Sequence, residues 1–358
     1  MSRPPVWWRW SGVAALLFVS TSRSQEPPPA LPDEPLRFGS VSLYSENDLY
    51  LGGTDENYTN GLKLSFLTTP LASFTEDPVP RPVQQLARML NDFLPAGPDY
   101  KLGLSIGQNL YTPRDISTSA AQPDDRPYAG WLYLGAAFQI YAPPLTFAEG
   151  QGSAARLDVF EVTFGMVGPA ALGRQVQNNV HNLFGVDTAR GWHHQLRNEP
   201  GLNLVYERRY RLSTETFRDQ RGWGADLIPH FGFSLGNVFT YATVGAEVRA
   251  GFRLPADFGT NLIRPTGDSG ALRRPNLNAF GFLAVDGRAV ARDITLDGNT
   301  WRDSPSVDKK TLVADLHAGF SVGTRHWQAT YVQAVRTRQY VGQSSHSVFG
   351  SLSLTFHY

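Results

Sequence analysis

Strict alternation of apolar and polar positions dominates the chain. In "TLVADLHAGFSV", Leu312, Ala314, Leu316, Ala318, Phe320 and Val322 fall on one face, while Val313, Asp315, His317, Gly319 and Ser321 fall on the other. "FTYATVGAEVRAGF" sets Ala242, Val244, Ala246, Val248, Ala250 and Phe252 against Thr243, Gly245, Glu247 and Arg249. The last segment, "SVFGSLSLTFHY", sets Val348, Leu352, Leu354, Phe356 and Tyr358 against Ser351, Ser353, Thr355 and His357. Successive side chains of a strand point to opposite faces. Period-two alternation over about ten residues, ending on an aromatic, therefore predicts a transmembrane β-strand with lipid on one side and a wet lumen on the other.

About twelve such strands are predicted, starting near residues 38, 58, 100, 129, 156, 200, 226, 238, 277, 311, 326 and 347. An even count closes an antiparallel barrel without an edge. The predicted fold is all-β: a transmembrane antiparallel β-barrel over residues 37–358, with a short helix in an outer loop. A soluble sandwich or lipocalin-like barrel would alternate too. Strand length and the terminal aromatic favour the membrane, as does the N-terminus described below.

Two stretches break the alternation. In "GRQVQNNVHNLFG", Gly173 to Gly185, helical spacing puts Leu172, Val176, Val180, Leu183 and Phe184 on one side. Gln177 and His181 line up on the other, beside Arg174 and Asn178. "PVQQLARMLNDFL", between the second and third strands, reads as a second amphipathic helix and as a plug or cap on the periplasmic side. If both chain ends of the barrel lie in the periplasm, parity puts residues 46–57, 110–128 and 167–199 on the outer face. Parity also puts the very short "LGNVF" connection there, although outer loops are usually the long ones.

Composition narrows the classes. The 358 residues carry a formal net charge of zero, which gives no electrostatic footprint for nucleic acid. There is no cysteine, hence no disulfide, thiolate nucleophile or thiolate metal site. Arg3 and Arg9 precede the apolar run "SGVAALLFVS", and small residues follow at Ser22 to Ser24. Residues 1–24 are expected to be a secretory signal peptide, and residues 25–36, "EPPPALPDEP" included, an extended linker. No later stretch is long and apolar enough to span a bilayer as a helix.

The three long outer connections each hold a polar cluster. They read "ENDLY…TDENYTNG", "GQNLYTP" with "DRPYAGWLYL", and "VGPAALGRQVQNNVHNLFG…GWHHQLRNEP". Each alone is an ordinary solvated turn or surface helix; parity collects them on one rim. In order and spacing these motifs resemble the outer-membrane lipid A 3-O-deacylase family, strongly from about residue 37 to 215 and by pattern beyond. The resemblance implies a twelve-stranded barrel and a calcium-dependent hydrolase that removes the 3′-linked acyloxyacyl chain from lipid A. Carried over by motif, the family's active-site residues fall on Asn47, Asp48, Thr59, Gln177 and His181, with a supporting carboxylate at Asp187. The expected partners are lipid A or lipopolysaccharide and the outer-membrane lipids, and the expected state is a monomer.

The chemistry of these side chains agrees. Ester hydrolysis needs a base that works near neutral pH, which suits His181. The attacking oxygen is that of Thr59 or of a water. Asp48, Asp187 and the Asn47 amide oxygen are hard donors suited to Ca²⁺, which polarises a carbonyl. Thr59 shares parity with Gly61, Lys63 and Ser65, so it is expected to face the lumen, toward the helix. Some relatives carry a lysine in the second connection that contacts substrate phosphates. Here only Arg114 and Arg126 stand between Asn109 and Tyr128, and they are the expected substrate-binding cations. The alternatives are a barrel phospholipase, a passive pore and an adhesin.

Overall fold

Each alternating segment forms a strand, and the twelve strands close on themselves. The computed structural model describes residues 35–48, 50, 57–94, 97, 99–146, 153–185, 187–213, 220–260, 263 and 275–358. The signal peptide and most of the linker expected from the sequence lie outside these residues. The strands are β1 (Phe38–Asn47), β2 (Asn57–Thr68), β3 (Asp99–Thr112), β4 (Ala129–Thr146), β5 (Ser153–Val167) and β6 (Glu199–Ser213). They continue as β7 (Trp223–Gly236), β8 (Phe239–Phe252), β9 (Asn278–Asp293), β10 (Leu312–Gly323), β11 (Trp327–Arg336) and β12 (Ser347–His357). Every strand pairs antiparallel with its sequence neighbours, and β1 pairs with β12 to close the ring. All twelve begin within three residues of the starts read from alternation.

The two faces of the wall differ as the pattern requires. Leu43, Leu62, Ile106, Leu134, Phe164, Val244, Leu283, Phe320 and Leu352 are exposed on the outside. An exposed apolar belt of this extent is what a wall bathed in lipid needs. The inner face is polar and paired. Arg249 meets Asp226 at 2.7 Å, Arg336 and Arg288 meet Asp315 at 2.8 and 3.0 Å, and His230 meets Asp286 at 2.6 Å. Charges this deep persist only when each has a partner.

The rim that carries the chain ends of the barrel is called the lower rim here, the other the upper. At the lower rim, helix α1 (Arg81–Met89) buries Ala87 against a cluster of Leu71, Phe74, Val79, Leu102, Phe138 and Ile140. Leu102, Phe138 and Ile140 share the outward parity of the exposed Ile106 and Leu134, so α1 packs against the outside of the wall. The expectation of a plug or cap, drawn from its amphipathic pattern, is corrected: the apolar side of the helix finds its partners on the apolar outer face and not among the lumen charges. The β8–β9 connection, with no such pattern, does more. It leaves the lower rim and enters the lumen, where the Phe258 carbonyl accepts from Arg209 (3.1 Å) and the Thr260 amide donates to Glu247 (2.9 Å). The Ile263 amide then donates to Glu46 at 2.6 Å, near the upper end of β1. Phe258 and Ile263 are buried there.

At the upper rim, the short β7–β8 turn is where parity placed it. Val238 is fully buried, its carbonyl accepts from the Ile294 amide (2.9 Å), and Arg292 donates to the carbonyl of Asn237 (2.8 Å). A two-residue turn suffices because the β9–β10 connection, with helix α3 (Ile294–Asp297), folds over it.

Candidate active site

Helix α2 (Gly173–Phe184) sits in the β5–β6 connection, and its seat is made by small residues. A Cβ on Gly130 would lie 3.1 Å from the Ala171 side chain, and one on Gly173 would lie 2.6 Å from the Trp192 ring and 3.0 Å from Leu110. Gln108 adds a hydrogen bond to the Ala171 carbonyl at 2.5 Å. Gln108, Leu110 and Gly130 share the outward parity of the exposed Ile106 and Leu134. The helix therefore lies against the outside of the wall, at the level of the rim. The expectation that it adjoins the lumen is corrected by this placement. The physical reason is space: the lumen is filled with paired charges and the β8–β9 connection, whereas the glycines leave room outside.

The orientation of the helix also departs from its amphipathic pattern. Gln177 and His181 are buried, at 3% and 5% exposure, while Leu172 and Leu183 are exposed. Turned this way, the polar residues meet the chain that follows the helix. The Trp192 indole N–H donates to Gln177 Oε1 at 2.7 Å. Asn178 accepts from the Ala189 amide (3.0 Å) and donates to its carbonyl (3.4 Å). Trp192 packs on Tyr128 with ring centroids 5.0 Å apart, in a cluster with Leu110 and Ala189.

Gly185 makes the critical turn. It stops the helix with φ 69°, a left-handed conformation that favours glycine, and its amide donates to the His181 carbonyl. The chain then doubles back, so that the Asp187 carbonyl lies 2.5 Å from His181 Nδ1. A carbonyl can only accept, so Nδ1 carries the proton and Nε2 carries the lone pair. Gln177 is fixed by similar logic. Its oxygen is taken by Trp192, which assigns the other end of the amide as NH₂, and this buried Nε2 has no acceptor among the described residues. The site thus offers a base and a donor one helical turn apart.

The remaining predicted residues are distributed around this pair. One rung of the sheet runs Asn47↔Asn60↔Leu110↔Gly130, so Asn47 stands two strands, about 10 Å, from the residue under α2. Asp48 follows, buried at 1% exposure. Asp187 gives its main-chain oxygen to His181 while its side chain is exposed. The β2–β3 ladder slips between Tyr58 and Asn60, leaving Thr59 as the extra residue. Parity therefore does not carry from Gly61 to Thr59, and the lumen-facing inference fails at this bulge. The Thr59 side chain itself lies outside the described residues.

The two expected phosphate-binding cations separate. Arg114 is exposed, its amide held by Asp125 at 2.9 Å. Arg126 is fully buried over the Tyr111 ring, donating to Thr295 (3.1 Å) and Gln339 (3.4 Å). In this conformation it ties three upper connections together instead of presenting a charge outward. Beside it Tyr340 donates to Asp125, and burial together with that bond raises its phenol well above the ordinary value. Among the described residues, no group of three or more His, Asp or Glu side chains gathers as a ready metal site.

Trp192, which holds the Gln177 amide, is the residue of this candidate site that sequence reasoning missed. Its segment, "GWHHQLRNE", draws attention to His193 and His194. His193 is exposed, and His194 bonds to the Ser119 carbonyl at 3.2 Å, away from the pair.

The fold is that of a membrane-type barrel, with a buried Gln–His pair built onto the outside of its wall. The chain belongs to the family described as Outer membrane protein LpxR, whose profile matches residues 13–358. This is the lipid A 3-O-deacylase family that the motifs resemble, and the chain is an integral outer-membrane protein. Among solved structures, LpxR from Salmonella typhimurium superposes with a TM-score of 0.65 at 19% identity, covering 89% of this chain and 100% of that one. The β-domain of the Bordetella autotransporter BrkA gives 0.39 at 8% identity, covering 90% and 99%. No curated protein matches the chain.

Proposed function

We propose that the upper rim faces outward and that the chain removes the 3′-linked acyloxyacyl chain of lipid A by hydrolysis at the α2 site. The observation that carries the reading is the Gln177–His181 pair: buried on the lipid-facing side of the wall, with Nδ1 tied to a carbonyl and an amide donor left without an acceptor among the described residues. Below the pair, the outward rung Leu64↔Ile106↔Leu134↔Phe164 gives an apolar wall four residues, about 14 Å, down the strands. An acyl chain lying on that wall brings its ester to the rim without leaving the membrane.

His181 Nε2 takes the proton of an attacking water and returns it to the leaving oxygen. The Gln177 amide donates to that water or to the oxygen that becomes negative in the transition state. Arg114, which is exposed, is the cation proposed to meet a phosphate of the substrate. The hard oxygen donors Asp48 and Asn47 fit Ca²⁺, since oxygen ligands suit this ion. Asp187 is the third candidate ligand. When bound, the ion supplies a Lewis acid for the ester carbonyl. The closed barrel needs no partner strand, and the chain is taken to act as a monomer.

The test is mass spectrometry of lipid A incubated with purified protein. Wild type should release the 3′ acyloxyacyl mass, and His181→Ala should lose about 10²–10⁴-fold in rate. Chelation should abolish the release and added calcium should restore it. Undiminished turnover by His181→Ala removes the base assignment, and full activity in excess chelator removes the metal. Release of fatty acid from glycerophospholipid in place of lipid A makes the chain a phospholipase.

A further inference from the structure

The wall has a second feature, about opposite α2: β9 lies six strands from β3 around the ring of twelve. Near the upper ends of β8, β9 and β10 the outward face is cut back to small side chains. Two rungs, Ala242↔Ala289↔Leu312 and Val244↔Gly287↔Ala314, place four of these beside one another. Val244 and Leu312 stand as walls, 65% and 75% exposed, and a Cβ on Gly287 would meet nothing closer than 3.8 Å. The result is a groove of about 880 Å³. That lies in the range of about 300–1,000 Å³ typical of small-ligand sites.

The top of the groove is basic. Lys310 from the β9–β10 connection and Arg338 and His346 from the β11–β12 connection line it, and all three are exposed. Arg338 donates to the Ser344 carbonyl at 2.9 Å, and among the described residues neither Lys310 nor Arg338 pairs with a carboxylate. The neighbouring Lys309 does, with Asp297 at 2.9 Å, so neutralisation was available on this connection and Lys310 lacks it. An apolar slot at membrane depth fits an acyl chain, while unpaired cations at the headgroup level fit phosphate. Each half alone is ordinary on a barrel; stacked along one line, they pair an acyl-chain slot with a phosphate site.

From this charge and shape complementarity we infer that the β8–β10 groove binds one molecule of the phosphorylated, acylated glycolipid of the outer leaflet, lipid A, as a resident lipid that is not hydrolysed. The floor formed by Ala242, Gly287, Ala289 and Ala314 carries no base or nucleophile, and no hydrolysis is assigned to the groove. The inference rests on the outward placement of the upper rim proposed above, but not on the catalytic roles of His181 or Gln177.

The absence of cysteine makes the test direct. Leu312→Cys provides one attachment point for an environment-sensitive fluorophore on the full-length barrel in detergent micelles. Bis-phosphorylated lipid A should give a saturable response. The double variant Lys310→Glu with Arg338→Glu should need at least about tenfold more lipid, since each cation contributes about 1 kcal/mol toward an anionic headgroup. Dephosphorylated lipid A should weaken by a similar factor. Heat-modifiable migration on gels checks that the double variant still forms a barrel. His181→Ala, added to the labelled protein, should leave binding unchanged, which separates failure here from failure of the hydrolase reading. Equal responses to phosphorylated and dephosphorylated lipid, with no effect of the charge reversals, mean ordinary annular lipid and overturn the inference. Saturation by phosphatidylglycerol at the same concentration as lipid A overturns it too, because the occupant is then a phospholipid.

Discussion

Gln177 shows how a single side chain acquires its role. In a helix pattern it is a polar residue on a polar face. Folded, its oxygen is taken by Trp192 and its nitrogen is left to the site. Trp192→Phe keeps an aromatic ring, though a smaller one, and deletes the donor, so the amide is no longer held in one orientation. A buried acceptor left unmatched costs about 1–3 kcal/mol. The expected outcome is a fall in kcat of about tenfold or more with the barrel intact on heat-modifiable gels; unchanged kcat would show that the indole does not position Gln177. His193→Ala and His194→Ala are the controls and should stay near wild type. Thr59 poses the other question at this scale. If the proposed water route operates, Thr59→Ser should be mild, Thr59→Ala partial, and protein quenched during turnover should weigh the same as at rest. An added fatty-acyl mass that disappears in Thr59→Ala would establish a covalent route instead.

At the scale of elements, the strands were legible and the placement of the helix was not. Alternation reports which face of a strand is apolar, and a closed barrel has only two faces to choose between. The strand starts follow from that alone. Helix α2 obeys no such constraint, because both of its sides have partners available. Its polar side turns inward to Trp192 and the Asp187 carbonyl, and Leu183 is left exposed. The close approach depends on Gly173. Gly173→Val would push a side chain into Trp192 and Leu110, an overpacking of about 1–3 kcal/mol. The helix should lift from the wall while the barrel survives. Activity on lipid A should then drop by at least about tenfold with no loss of heat-modifiable migration. Retention of full activity would mean that the seat of the helix is not needed for the site.

For the whole molecule, the informative feature is the segment that climbs through the lumen between Arg209, Glu247 and Glu46. A passive pore needs an open path, and this barrel spends its interior on ion pairs and a threaded connection. Wild-type protein in planar bilayers should be electrically silent. Replacing Glu46 and Glu247 together by Ala removes two carboxylates that hold the segment, and step-like currents are the expected result. Steady conductance by the wild type would instead favour the porin reading over the enzyme.

The sequence alone determined the barrel and the rim on which the motifs meet, and put the strands at about twelve, because period-two patterning and strand parity are local properties that closure makes global; the closed ring fixed the number at twelve. The sequence also supplied the candidate site residues, through ordered motifs. Only the tertiary structure decided that the helix lies outside the wall, that a bulge at Thr59 breaks the parity argument, that Arg126 is buried as a tie and that Trp192 orients Gln177. These depend on which surfaces approach one another across strands and connections distant in sequence. The approaches are set by the room that Gly130 and Gly173 leave and by where buried hydrogen-bonding groups find partners, and neither is written in the period of a single segment.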